Sequence, residues 1–310
     1  MAVNNIIGRE DLTDVLMPTQ VVNDIIQTAT EQSVVLNRAR RVQMSSKLYK
    51  QPVLATLPSA YWLDGDTGLK QTTKVEWSSL TMTAEELAVI VPIPNAVVDD
   101  ANIPLWDQVK PLLSEAIGLC IDRAAIFGVD KPTSWPNAII TGATAAGNVV
   151  QAEPGKDFAQ SVSDLAGIID TKGFAVNAFM TRPGLSWTLR GARDGEGRPL
   201  FDNALSGAGQ FGLFGMPLDE VRNGSWDSEA AELVAIDWKK FVIGIRQDIT
   251  YDLFSEGVIS DADGSIVLNL MQQDSKALRV VMRVGFQAAV PVTRIGEDPK
   301  YPAGVVTPAE

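Results

Sequence analysis

Residues 48–93 carry the most telling pattern of hydrophobic and polar positions in this chain. A strand-like stretch runs into the turn-rich tip Asp64-Gly65-Asp66-Thr67-Gly68, and a second strand returns. Glycine and aspartate in that density let a chain reverse direction cheaply. The return, residues 74–82, sets Val75, Trp77, Ser79 and Thr81 against Glu76, Ser78, Leu80 and Met82. Neither face is an apolar stripe. A two-stranded unit of this kind has too little apolar surface to stand alone, so the pattern predicts an arm that lies on another surface.

Around the arm the periodicity changes. Residues 21–42 place Val22, Ile25, Ile26, Ala29, Val34 and Val35 on one side of a predicted helix. Residues 87–93, LAVIVPI, read as a strand whose end Pro92 and Pro94 confine to a sheet edge. The clearest helix spans residues 104–127, with Leu105, Val109, Leu112, Leu113, Ala116, Ile117, Cys120, Ile121, Ala124 and Phe127 at three- and four-residue steps. It would extend about 36 Å, bend or lose its first turn at Pro111, and stop at Gly128. Residues 131–154 read as loop with short strands. Residues 157–171 read as an amphipathic helix, 175–180 as a strand, 183–193 as a short helix and 194–199 as a turn. Strands are predicted over 233–236, 241–245, 266–270 and 277–290. The last of these alternates Leu278, Val280, Met282, Val284 and Phe286 with Arg279, Val281, Arg283, Gly285 and Gln287, one buried face against a mixed one. Residues 299–310 look irregular. The mixture of elements argues for an α+β chain.

Composition narrows the chemistry. The chain has 310 residues, 45% hydrophobic and 21% charged, ordinary for a globular protein. There is no histidine and one cysteine, Cys120, so Ser-His-Asp and Cys-His catalysis and histidine-containing metal sites are excluded. Flanked by Leu119 and Ile121, Cys120 reads as a buried thiol. No apolar run approaches the roughly 20 residues that cross a bilayer, and the first residues lack the pattern of a signal peptide. Asn223-Gly224-Ser225 fits a glycosylation acceptor, which has no meaning without secretion. The net charge of −12 opposes tight binding to DNA or anionic membranes. Only two basic clusters stand out, residues 38–41 at a predicted helix end and Lys239-Lys240.

Several motifs fail on context. Residues 207–212, GAGQFG, match the dinucleotide fingerprint by letter, but neither the strand before it nor the helix after it is predicted. Residues 261–264, DADG, begin like a calcium loop yet lack its later ligands. The adjacent carboxylates Glu85-Glu86 and Asp99-Asp100 point apart rather than converging. No catalytic, cofactor-binding or metal residue is assigned. Tyr61 and Trp62 near the arm tip read either as interface residues or as a staple within the hairpin.

In order and spacing these elements resemble the major capsid proteins of tailed bacteriophages, with the Hong Kong 97-like fold. The residues that carry the resemblance are Gln32-Ser33-Val34-Val35 with Arg40-Arg41-Val42, the loop 48–82, the strand 87–94 followed by Val97-Val98-Asp99-Asp100, the helix end Asp122-Arg123-Ala124-Ala125-Ile126-Phe127-Gly128, and the late strand 276–286. The resemblance implies an N-terminal arm and helix over 1–46 and an extended loop, the E-loop, over 47–84. A peripheral domain with a long spine helix would cover 85–136 and resume over 239–310 with the C-terminal tail. An axial domain over 137–238 would be inserted between. It also implies self-assembly through pentamers and hexamers into an icosahedral shell in the virion, formed in the host cytoplasm. That shell would enclose double-stranded DNA held without sequence-specific binding.

The implied partners are further copies of the chain, a separate scaffolding protein, a portal and a decoration protein, with no membrane and no cofactor. Contacts between subunits would involve Tyr61, Trp62, Asp64, Asp66, Lys70, Lys74 and Glu76, with Arg279 and Arg283 as candidates to receive the tip's charges. Some members join a loop lysine to an asparagine; Lys70 or Lys74 with Asn269 is not expected to do so. An encapsulin-type compartment shell is the alternative reading, and a carboxylate-dependent or nucleotide-binding enzyme is a third.

Overall fold

A computed structural model describes residues 33–60, 62, 72–101, 104–152, 158–191, 212–261, 263–292, 294–295 and 299–308. The elements begin with α1 (Val34–Arg38), β1 (Arg40–Gln43), β2 (Leu48–Thr56), β3 (Glu76–Thr83) and β4 (Glu85–Pro94). Next come α2 (Asn95–Asp100), α3 (Leu105–Asp122), α4 (Ile139–Ala145), β5 (Val149–Gln151), α5 (Phe158–Thr171), β6 (Ala178–Thr181) and α6 (Leu185–Gly191). The chain closes with β7 (Gly212–Leu213), β8 (Met216–Glu220), β9 (Leu233–Ile236), β10 (Phe241–Phe254), β11 (Val258–Ser260), β12 (Ile266–Asn269), β13 (Ser275–Ala288) and β14 (Ala303–Thr307).

Two sheets organise the molecule. The first has the order β1-β10-β13-β4. β10 and β13 form a long antiparallel ladder from Phe241↔Ala288 to Phe254↔Ala277, and the register shifts twice between Ile245 and Thr250. β4 pairs with the other side of β13 and is the sheet edge, where Pro92 and Pro94 cost no interior ladder bond. The alternation in β13 turns Leu278, Val280, Met282, Val284 and Phe286 inward. Against that face packs α3, which buries Leu113, Ile117 and Ile121. This helix runs through Pro111, passes into a π-helical turn over Arg123–Phe127, and stops where Gly128 adopts φ +79° and donates its N–H to the Arg123 carbonyl.

The second sheet has the order β5-β14-β9-β6-β8-β7. It is covered on both faces, which removes the alternation expected of a half-buried sheet. Leu233, Ala235 and Val306 meet α5 through Val162, Leu165 and Ile169. Val234, Ile236 and Val305 face the opposite way, into the cluster that holds α4, α3 and the inner face of the first sheet. One apolar core therefore joins the two sheets.

Four expectations need correction. The helix expected over 21–42 is helical only over Val34–Arg38 among the described residues, and Arg40–Gln43 instead forms a parallel strand beside β10. An available sheet edge outweighs local propensity there. Residues 131–154 contain a helix, α4, whose Gly142 lies against the Tyr301 ring; a Cβ there would come within 2.4 Å of it. Residues 299–310 are not an irregular tail: β14 sits between β5 and β9. Its entry is fixed by buried Asn148, which donates to the carbonyls of Tyr301 (2.9 Å) and Ala303 (2.8 Å). The strand expected over 241–245 continues to Phe254. The turn read at 194–199 lies outside the described residues.

Candidate assembly surfaces

Among the described strands β2 and β3 pair only with each other, in register from Leu48↔Thr83 to Thr56↔Glu76. Most of the hairpin is exposed; Trp77 is 66% exposed and Leu48 55%. Only its root is buried, where Met82 and Ala84 pack with Met44 and Val242. The approach is close. A Cβ on Gly285 would stand 2.8 Å from the Thr83 carbonyl oxygen, and one on Gly244 would stand 2.4 Å from the Met44 sulfur. Glycines at paired positions of β10 and β13 thus let the hairpin root on the sheet; beyond the root its described contacts with the rest of the chain are few, among them the Pro58 carbonyl accepting from Arg294.

The residues singled out from the sequence fall into three groups. Trp62 is fully exposed, and Lys74 pairs with Glu76 within the hairpin. Tyr61, Asp64, Asp66 and Lys70 lie outside the described residues. Arg279 and Arg283 are on the outer face of β13 and are already engaged. Arg279 reaches Asp252 at 3.0 Å and lies over the Phe254 ring, and Arg283 donates twice to Glu86 (2.9 and 2.6 Å). The structure does not bring them to the described part of the tip.

The motifs set aside on context show other roles. Most of the 207–212 loop is outside the described residues, but Gly212 opens β7, and a hairpin follows rather than the helix of a dinucleotide site. In the 261–264 segment Gly264, at φ +80°, donates its N–H to the Asp261 carbonyl (2.9 Å), a turn between β11 and β12. Glu85 takes Ser134 and Lys47 while Glu86 takes Arg283, so the two carboxylates serve separate partners. Asp99 and Asp100 end α2. Cys120 is half-buried, and burial pushes its thiol above the usual range. Among the described residues no helix is long and apolar enough to cross a membrane.

Sequence reasoning missed the most connected polar site. Asp122, wholly buried at the end of α3, accepts from Ser33 Oγ (2.5 Å), the N–H groups of Val34 (3.1 Å) and Val35 (3.2 Å), and Asn223 Nδ2 (2.6 Å). Ser33 Oγ in turn caps α1, accepting from the Leu36 N–H at 3.0 Å. Burial pushes the Asp122 carboxyl up, against the pull of these four donors. One side chain thus ties the start of the described chain, the long helix and the loop after β8. Asn223, whose match to a glycosylation acceptor was set aside, is buried and spent on this joint. The polar signal in sequence was a lone aspartate in an otherwise apolar helix face.

A projecting hairpin, a long helix packed across an antiparallel sheet and a second covered sheet also describe other proteins. Residues 13–292 match the model of the phage capsid family. The major capsid protein of Staphylococcus phage 80alpha is 26% identical over 290 residues, 92% of this chain and 85% of that one. A structure from Microbacterium phage Oxtober96 superposes with a TM-score of 0.85 at 36% identity, covering 97% of this chain and 99% of the other. One from Mycobacterium phage Cain gives 0.83 at 31%, over 98% and 99%. The capsid of an empty GTA particle with C5 symmetry shares the fold at 17% identity and TM-score 0.62, over 91% and 94%. The chain belongs to the phage capsid family: it is a major capsid protein of mixed α+β fold, a structural and non-enzymatic component of the virion shell.

Proposed function

We propose that this subunit closes an icosahedral shell of pentamers and hexamers around double-stranded DNA, with the β2–β3 hairpin as its intersubunit strap. The carrying observation is that hairpin: among the described strands it pairs only with itself, it is rooted by Met82, and it leaves Leu48 and Trp77 exposed. A two-stranded ribbon in water is marginal alone, so burial of Trp77, Leu48 and Trp62 on a neighbour supplies what the isolated subunit lacks. Fivefold assembly is the symmetry of the GTA capsid that shares this fold.

In this reading the hairpin with its tip is the extended E-loop, and α3 is the spine helix of a peripheral domain built on the β1-β10-β13-β4 sheet. The six-stranded sheet is the axial domain, completed by β14 from beyond residue 238. Tyr61, Trp62, Asp64, Asp66, Lys70, Lys74 and Glu76 are contacts of the strap. Scaffolding, portal and decoration proteins act as separate partners. Deleting residues 64–74 is expected to leave a subunit that melts like the wild type but forms no closed particles by negative-stain microscopy. Normal particles from that deletion refute the strap.

A further inference from the structure

The two basic clusters are some 200 positions apart in sequence, yet the fold brings them together. β1 lies parallel to the start of β10, with Arg40 opposite Val242, and a short 3-10 turn, Trp238–Lys240, leads into β10. Arg38, Arg40, Trp238 and Lys239 consequently line one cleft of about 510 Å³, with Asn177 and Ala178 on its wall.

This cleft is rich in donors and poor in free acceptors. Arg38 is held by Asp219 at 2.6 Å, but Arg40 and Lys239 are exposed and form no salt bridge among the described residues; Lys239 acts on the buried Asp237 carboxyl only through space. Trp238 is 5% exposed and its indole N–H has no acceptor there. Asn177 is spent: its amide donates to Asp237 at 3.0 Å and its oxygen accepts from the Trp238 N–H at 3.1 Å. Asp237 is buried and also takes the Lys239 backbone N–H at 3.2 Å. Two exposed cations, Arg40 and Lys239, on the wall of one cleft favour an oxyanion there.

We infer that this cleft receives a carboxylate-bearing segment of a second copy of the same chain. Charge complementarity chooses the occupant. Each copy carries 38 acidic against 26 basic residues, so neighbouring subunits repel unless local sites offset the excess, and free cations in a cleft supply such a site. A nucleic-acid backbone is the poorer fit. Affinity for it grows with the number of phosphates neutralised across a broad basic face, whereas here two unpaired cations stand in an acidic protein. The inference rests on the shell assembly proposed above and adds a receiving surface distinct from Arg279 and Arg283, which already have carboxylate partners.

The test uses shells assembled from the full chain. Isotope-labelled and unlabelled subunits are mixed, assembled, treated with a carbodiimide that joins lysine directly to carboxylate, digested and analysed by mass spectrometry. Lys239 is expected to link to an aspartate or glutamate of the other isotopic form. In parallel, Arg40→Glu/Lys239→Glu is expected to raise the concentration needed for shell closure by about tenfold or more, the equivalent of one contact of about 1.4 kcal/mol. Arg40→Gln/Lys239→Gln, which retains the stems of both side chains, controls for folding by its unchanged melt. Wild-type shells in which Lys239 links only within its own chain, or not at all, overturn the inference and leave the strap standing. So do variant shells that close normally but retain less DNA, which would make the cleft a phosphate site. Failure of the wild type to form shells overturns both.

Discussion

At the scale of single residues, Asp122 matters most to the subunit's own integrity. Removing its carboxylate in Asp122→Ala strands Ser33 Oγ, Asn223 Nδ2 and two backbone N–H groups. Each buried unsatisfied group costs roughly 1–3 kcal/mol; the expected loss is at least about 3 kcal/mol, read as a drop in the urea midpoint. A melt within error of the wild type contradicts this account. Glu220 gives the pH dependence. Burial pushes its carboxyl up, but the bonds from Ser186 and Arg222 outweigh that, and the net position is below the ordinary 4.5. A depressed acid contributes its full stability above the unfolded value and loses it as pH falls through the folded one. The wild type should therefore lose stability on acidification below about pH 4.5 more steeply than Glu220→Gln, in melts taken across that window. In the sequence Asp122 stood out only as a lone aspartate at a helix end, and Glu220 not at all, because Ser33 and Asn223 in the one case and Ser186 in the other come from distant segments.

At the scale of elements, periodicity was readable wherever one face of an element is buried and the other wet. β13, α3 and α5 show it and were visible in the sequence; the β2–β3 hairpin was legible from its turn-rich tip instead, since neither of its faces is an apolar stripe. It failed where both faces are covered or pairing comes from afar. β14 has no alternation because Val305 and Val306 enter different parts of the core, and β1 is a strand only because β10 offers it an edge. The root of the hairpin was also invisible, since glycines at 244 and 285 act through what they leave empty. Gly285→Ala drives a methyl against the Thr83 carbonyl. The expected cost is roughly 1–3 kcal/mol by thermal melt, and the hairpin should become more sensitive to protease than the core. If the hairpin is cut no faster in the variant, the rooting by close approach is wrong.

At the scale of the whole molecule, the two sheets share one apolar core, so they should unfold together. Far-UV circular dichroism and tryptophan fluorescence are expected to give coincident urea transitions; two separated transitions contradict a common core. The exposed hairpin contributes little to that transition and most to what happens between subunits. The order of synthesis adds a further constraint. β14 is the last of the described strands to be made, yet it stands between β5 and β9, both translated long before. Until it emerges from the ribosome, those two edges stay bare and the second sheet is open. A chain cut short before residue 303 is therefore expected to leave strand edges unpaired, and such edges invite aggregation. One short strand, far along the chain, thereby makes closure of the second sheet wait on a segment distant from the strands it joins.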